Sequence, residues 1–143
     1  MKEVWIVDGV RTPIGRMGGA LSGFRPEELA AFALKGLLEK TKIDPAIVED
    51  VLIGHACTNN AAVNIARWAV LKAGFPVSVT AQTVERQCGS ALQTINSAAM
   101  AILAGFGDVY IAGGCESWSN APYLMERQKV PFSLMPNAFI GKE

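Results

Sequence analysis

The alternation of apolar and polar positions changes period several times along the chain. Residues Glu3 to Gly9 (EVWIVDG) are short and mostly apolar, which reads as a strand. A glycine-rich stretch follows, with Gly15, Gly18, Gly19 and Gly23. Pro26 then opens a helix, because its missing N–H costs nothing in a first turn. Glu27 and Glu28 suit the positive end of that helix, and Lys40 and Lys42 suit the other. Leu29, Phe32, Ala33 and Leu37 recur at helical spacing and predict its apolar face.

Asp44-Pro45 punctuates the chain, and Asp50 to His55 (DVLIGH) predicts a second strand. A helix starts near Asn64, carries Ala66, Ala69, Val70 and Ala73, and stops at Gly74 with Pro76 beyond. Val77 to Val84 is β-branched and alternating, predicting a third strand. A long helix then runs from about Cys88 to Ala104, with Leu92, Ile95, Ala99 and Ile102 as its expected buried stripe. Gly105 and Gly107 end it, and Asp108 to Gly114 (DVYIAGG) is a fourth strand apolar enough for burial on both faces. Strands separated by single helices imply βαβ units, hence an α/β class with a mainly parallel sheet. Residues 1–114 form this core. Residues 115–143, with Pro122, Pro131 and Pro136, read as a loop and the start of an incomplete cap region.

Composition narrows the setting. The 143 residues suffice for one core, 50% are apolar and 18% charged, which argues against disorder. Thirteen basic and thirteen acidic residues cancel, so bulk charge attracts neither nucleic acid nor an anionic membrane. A neutral chain is prone to associate, and an oligomer is expected. The longest apolar run, Ala98 to Ala104, is far below the ~20 residues that cross a bilayer. No export signal is visible, so the cytoplasm is the expected address. Cys57, Cys88 and Cys115 are odd in number and lack metal or disulfide spacing, which predicts free thiols and no metal. Gly15 to Gly23 lacks the spacing of a phosphate loop.

The chemistry concentrates at Val84-Glu85-Arg86-Gln87-Cys88-Gly89-Ser90-Ala91-Leu92-Gln93. Cys88 falls where a strand turns into a helix. The first helical N–H groups there lack partners and the dipole is positive, which favours negative charge on the sulfur and can hold an oxyanion. Gly89 and Ser90 leave room for a substrate, and Arg86 adds positive charge. Position alone does not separate this from a small buried apolar cysteine, a common case. His55 and Cys57, two apart on a strand, would share a face, so a dyad stands beside the ordinary reading of a satisfied histidine.

Gln87-Cys88-Gly89-Ser90-Ala91-Leu92-Gln93 resembles the nucleophile motif of the thiolase family. Asp8-Gly9-Val10-Arg11-Thr12-Pro13-Ile14-Gly15 resembles the family's opening, and Asn64-Ile65-Ala66-Arg67 its Asn-x-Ala-Arg helix. Gly113-Gly114-Cys115-Glu116-Ser117-Trp118-Ser119-Asn120-Ala121-Pro122-Tyr123 resembles its Gly-Gly-x-Glu-Ser-Met-Ser-Asn-Ala-Pro-Tyr signature. The resemblance implies a thiolase-like N-terminal half-domain with a buried helix starting at the nucleophile. It implies Cys88 as the acyl carrier, its backbone N–H as an oxyanion donor, and structural roles for Glu116 and Asn120. Coenzyme A thioesters would be the substrates, with no separate cofactor. Three positions depart from the pattern: Glu85 for asparagine, Ala91 for glycine and Trp118 for methionine.

The family's Gly-His-Pro histidine, its second cysteine and most of its coenzyme A contacts lie later than these 143 residues. The resemblance therefore covers roughly the first third of a family member. A homo-oligomer or a partner chain would supply the rest, and the alternative is a piece that acts only by association. Three rival enzymes fit less well. A papain-type protease lacks its second cysteine and aromatic residue, and an α/β-hydrolase would need glycine where Arg86 stands. A condensing enzyme of fatty-acid or polyketide synthesis shares the architecture, but the Glu116–Tyr123 stretch favours thiolase.

Overall fold

A computed structural model describes residues 3–58, 62–125 and 139–140. Three parallel strands, β1 (Asp50–Gly54), β2 (Thr80–Val84) and β3 (Tyr110–Gly114), form a sheet in the order β2-β1-β3. Helix α1 (Pro26–Thr41) precedes β1, α2 (Ile65–Ala73) links β1 to β2, and α3 (Ser90–Ala104) links β2 to β3. Short 3-10 turns occupy Pro45–Ile47 and Trp118–Asn120, and Leu124–Met125 (β4) pairs antiparallel with Phe139–Ile140 (β5). Most of the final stretch, including Pro131 and Pro136, lies outside the described residues.

The α/β reading holds, and strand alternation shows the layering. Val51 and Ile53 point from β1 into a core shared with Ala30, Ala31 and Leu34 of α1 and Ile65, Ala66, Ala69 and Val70 of α2. Gly54, on the other face, meets the backbone of Ser90 and Ala91 at the start of α3. One crossover runs β1 to β2 and the next runs back across β1 to β3. Right-handed connections of opposite direction place α2 and α3 on opposite faces. Asn64 caps α2 and docks it at once: its Oδ1 accepts from Arg67 N–H (3.1 Å) and from Thr83 Oγ1 (2.9 Å), while its Nδ2 donates to Ala81 O (2.9 Å).

Several expectations need correction. Residues 3–9 do not join the sheet; Val7 is 91% exposed. A strand exists only through a ladder, and residues 3–9 pair with no strand among the described residues. The segment is held instead by Lys40, whose Nζ reaches Asp8 Oδ1 (2.6 Å) and Gly9 O (3.3 Å). β2 begins at Thr80 rather than Val77, because Pro76 starts a turn that Arg67 clamps through Val77 O and Val79 O (3.0 and 2.5 Å). β3 begins at Tyr110 and is half-buried, since it is an edge strand among the described residues.

The predicted face of α2, with Ala66, Ala69, Val70 and Ala73, is buried, but the stripes predicted for α1 and α3 miss the centre of the core. α1 buries Pro26, Glu27, Ala30, Ala31 and Leu34, while Phe32 is exposed and packs edge-on against Phe24 with ring centroids 5.3 Å apart. The alanine face wins because it lets α1 approach the alanines of α2 closely. α3 starts at Ser90, two residues after Cys88, and buries Ser90, Thr94 and Ala98. Leu92 is 64% exposed, and Ile95, Met100 and Leu103 also face outward. Only small side chains fit where α3 lies on glycine-ended strands. A Cβ on Gly54 would come within 2.4–2.7 Å of the Ser90–Ala91 backbone. A Cβ on Gly114 would come within 2.6 Å of the Ala91 methyl.

Gly54→Ala should therefore destabilise the chain by about 1–3 kcal/mol in denaturant unfolding, through overpacking. Gly36→Ala, in α1 with open space around its Cβ, should stabilise it by about 0.5–1 kcal/mol. Equal effects of the two substitutions would contradict the packing described.

Candidate functional site

Parallel strands bring their C-terminal ends to one edge of the sheet, the usual place for ligands in such folds. The loops after Gly54, Val84 and Gly114 gather His55 and Cys57, Cys88, and Cys115 and Glu116 there. All three cysteines are free thiols; Cys88 is exposed and the other two are partly covered.

The Cys88 loop is held from both sides. Gln87 takes a left-handed backbone (φ 48°), which costs a non-glycine residue on the order of 1–3 kcal/mol. Its N–H donates to Glu85 Oε1 (2.7 Å), so this carboxylate supplies an acceptor ahead of Cys88 where the family pattern has asparagine. The Ser90 hydroxyl donates to Gln87 O (2.6 Å) and accepts from Arg86 N–H (2.8 Å). Arg86 Nη1 also donates to Gln93 Oε1, which keeps its charge beside the first turns of α3. Cys88 thus stands one residue before the Gly89 N-cap, facing outward from a fixed turn. Trp118 is 60% exposed on its own short turn and does not press into this loop's core.

His55 and Glu116 form a second feature, which the sequence did not single out as a pair. His55 is 1% exposed. Its Nδ1 lies 2.6 Å from Glu116 Oε1 and 3.0 Å from Cys115 O. Two acceptors require that Nδ1 carry the proton, an assignment made from this geometry. Glu116 also accepts from Ala56 N–H (2.9 Å) and Cys57 N–H (3.1 Å), so it closes the turn after β1. Burial pushes the His55 pKa down, but the Glu116 carboxylate and the Cys115 carbonyl outweigh it and leave it raised. Burial pushes Glu116 up, and its bonds to His55, Ala56 and Cys57 outweigh that and leave it lowered. Cys115 is pushed up to about 12, first by burial and then by Glu116 and Glu27.

The His55–Cys57 dyad does not form. β1 ends at Gly54, and the His55 ring is committed to Glu116 on the α1/α2 side, where Cys115 packs against the core. α3 and its preceding cysteine lie across the sheet. Asn120 has the structural role expected of it. Its Nδ2 donates to Ser22 O (3.0 Å) and Phe24 O (2.9 Å), tying the signature turn to the glycine-rich loop. Ser119 Oγ accepts from Gly18 N–H (2.9 Å) and reinforces that tie. The pairing of His55 with Glu116 was readable only through the strand register, which sets Gly54 beside Gly114 and so places the following residues together.

The pair should show in stability against pH. The raised His55 contributes fully below the ordinary imidazole value of 6.5 and loses its contribution as pH rises through its folded value. The lowered Glu116 contributes above the ordinary carboxylate value of 4.5 and loses it as pH falls. The unfolding midpoint of the unmodified chain should exceed that of Glu116→Gln most between pH 4.5 and 6.5, and the gap should narrow on both sides. A gap that does not change with pH would remove the ion pair.

Comparison with known proteins agrees with this geometry. The family model described as "Thiolase, N-terminal domain" matches residues 4–141. A "Beta-ketoadipyl-CoA thiolase" of Escherichia coli is 48% identical over 143 residues, covering 97% of this chain and 35% of the relative. A steroid 3-ketoacyl-CoA thiolase of Mycobacterium tuberculosis is 47% identical over 123 residues, covering 85% and 30%. The crystal structure of the Bacillus anthracis acetyl-CoA acetyltransferase superposes with a TM-score of 0.84 at 40% identity, covering 92% of this chain and 33% of that one. The chain spans about a third of the length of the curated relatives it matches. Sequence motifs, sheet order and the strand-to-helix position of Cys88 converge: this chain belongs to the thiolase family, and its fold is that of the family's N-terminal domain.

Proposed function

We propose that this chain carries the acyl group of a thiolase reaction on Cys88. The observation that carries the reading is an exposed thiol on a locked turn at the N-terminal end of α3, at the C-terminal edge of a parallel sheet. The sulfur attacks the carbonyl carbon of an acyl-CoA. The C–S bond to coenzyme A breaks, the acyl group passes to Sγ as a thioester, and coenzyme A leaves as its thiol with the proton from Cys88. In the degradative direction the sulfur attacks the ketone of a 3-ketoacyl-CoA. The Cα–Cβ bond then breaks, and the acetyl-CoA carbanion takes up the proton.

Coenzyme A thioesters are substrates in both directions, so no separate cofactor is invoked, and neither a nucleic acid nor a membrane enters the chemistry. The backbone N–H of Cys88, just ahead of α3, would receive the developing oxyanion. His55 is not assigned as the base, because it is buried on the α1/α2 side of the sheet, away from the exposed Cys88, and its free Nε2 meets no hydrogen-bond partner among the described residues. A reducing, cytoplasmic setting suits a mechanism that needs a free thiol. No helix among the described residues is long and apolar enough to cross a membrane.

A second reading rests on the outward face of α3, where Leu92, Met100, Leu103 and the following Phe106 are exposed. Contiguous apolar surface of this kind marks an interaction site. In that reading the chain works only when a second copy or a partner chain supplies the activating groups.

Intact mass spectrometry after adding acetyl-CoA tests both. A gain of one acetyl group, absent in Cys88→Ser, is expected for the acyl-carrier reading. A gain only in the presence of the longer remainder of a thiolase would favour the second reading. A gain that persists in Cys88→Ser would sink the assignment of Cys88.

A further inference from the structure

We propose that Thr94 is a positioning residue that sets where Cys88 stands over the sheet. The inference rests on the reading of Cys88 as the acyl carrier. Thr94 lies one turn into α3 and is fully buried, at 0% exposure. Its Oγ1 sits 2.7 Å from Ala91 O, within its own helix, and 3.0 Å from Gly113 O, at the end of β3. A buried threonine normally uses the first of these bonds alone. The second acceptor belongs to a different element. The single hydroxyl proton is therefore shared between the first turn of α3 and the strand beneath it.

The neighbouring contacts give this bond its consequence. The first turn of α3 rests on Gly54 and Gly114, where a Cβ at either position would collide with Ser90 or Ala91. Those contacts limit how near the helix can come but supply no directional attraction. Thr94 supplies it, fixing rotation and slide along the strand end. From there the linkage runs through Ser90, whose hydroxyl holds Arg86 and Gln87, to Cys88. Loss of the Thr94 hydroxyl leaves packing intact and frees the helix start to shift. A misplacement of about 1 Å can cost a reaction up to a hundredfold.

The test compares Thr94→Val, which keeps the shape, with Thr94→Ser, which keeps the hydroxyl, in the full chain. Two rates at Cys88 are followed by mass spectrometry: acetylation by acetyl-CoA, which depends on placement, and alkylation by iodoacetamide, which an exposed thiol accepts from any direction. Thr94→Val should lower acetylation at least tenfold with alkylation nearly unchanged, and Thr94→Ser should restore acetylation. Unmodified chain acetylated on Cys88, with Thr94→Val equally fast, would overturn the positioning role alone. A parallel fall in both rates, or no rescue by serine, would make Thr94 a folding residue only. If the chain alone gains no acetyl, the same rates are compared with the remainder of a thiolase supplied, and no gain on Cys88 there either would remove the acyl-carrier reading and the positioning role with it.

Discussion

The contact on which this structure depends is the first turn of α3 resting on two strand ends that have no side chains. Gly54 and Gly114 sit side by side in the register of β1 and β3. Any Cβ there would occupy the space of the Ser90–Ala91 backbone or the Ala91 methyl. The helix can therefore lie almost on the sheet. This explains why α3 buries Ser90, Thr94 and Ala98 rather than its larger apolar residues. It also explains the departure at Ala91: the methyl is accommodated because its partner in β3 is glycine. The same closeness brings Cys88 to the sheet edge with the helix amides behind it.

Electrostatics on the two faces of the sheet have different tasks. On the α3 face, the positive end of the helix dipole and the Arg86 side chain offer positive potential beside an exposed sulfur. On the α1/α2 face, Glu116 pairs with the Nδ1 side of the buried His55 ring and closes the turn after β1. That pair braces the loops after β1 and β3, on either side of the Cys88 loop, without reaching it. The Cys115 thiol, its pKa raised by burial and by two nearby carboxylates, is kept protonated and inert beside the pair. Of three cysteines at one sheet edge, the surroundings single out Cys88 by exposure and by its place at the helix start.

Much of this was legible in the chain. Asn64 and Gly74 marked the ends of α2 because capping is a local matter of backbone groups and near neighbours. The strand containing Val51, Leu52 and Ile53 was plain from its apolar run, and Cys88 from the strand-to-helix turn around it. The azimuth of the helices was not legible. In α1 and α3 two apolar faces compete, and period alone does not say which one meets a neighbour. A face bearing alanines won in α1 and one of serine, threonine and alanine in α3, because the neighbouring surface is close.

The order of elements, the parallel α/β class and the place of Cys88 at a strand-to-helix turn could all be read along the chain. These follow from periodicity, caps and a motif contiguous in the chain. Only the tertiary structure decided that residues 3–9 stay out of the sheet, that His55 belongs to Glu116 rather than Cys57, and that Thr94 reaches Gly113. Each of these is a choice among partners far apart in sequence. It is made by strand register and by the distance of closest approach between elements, quantities that no local pattern encodes.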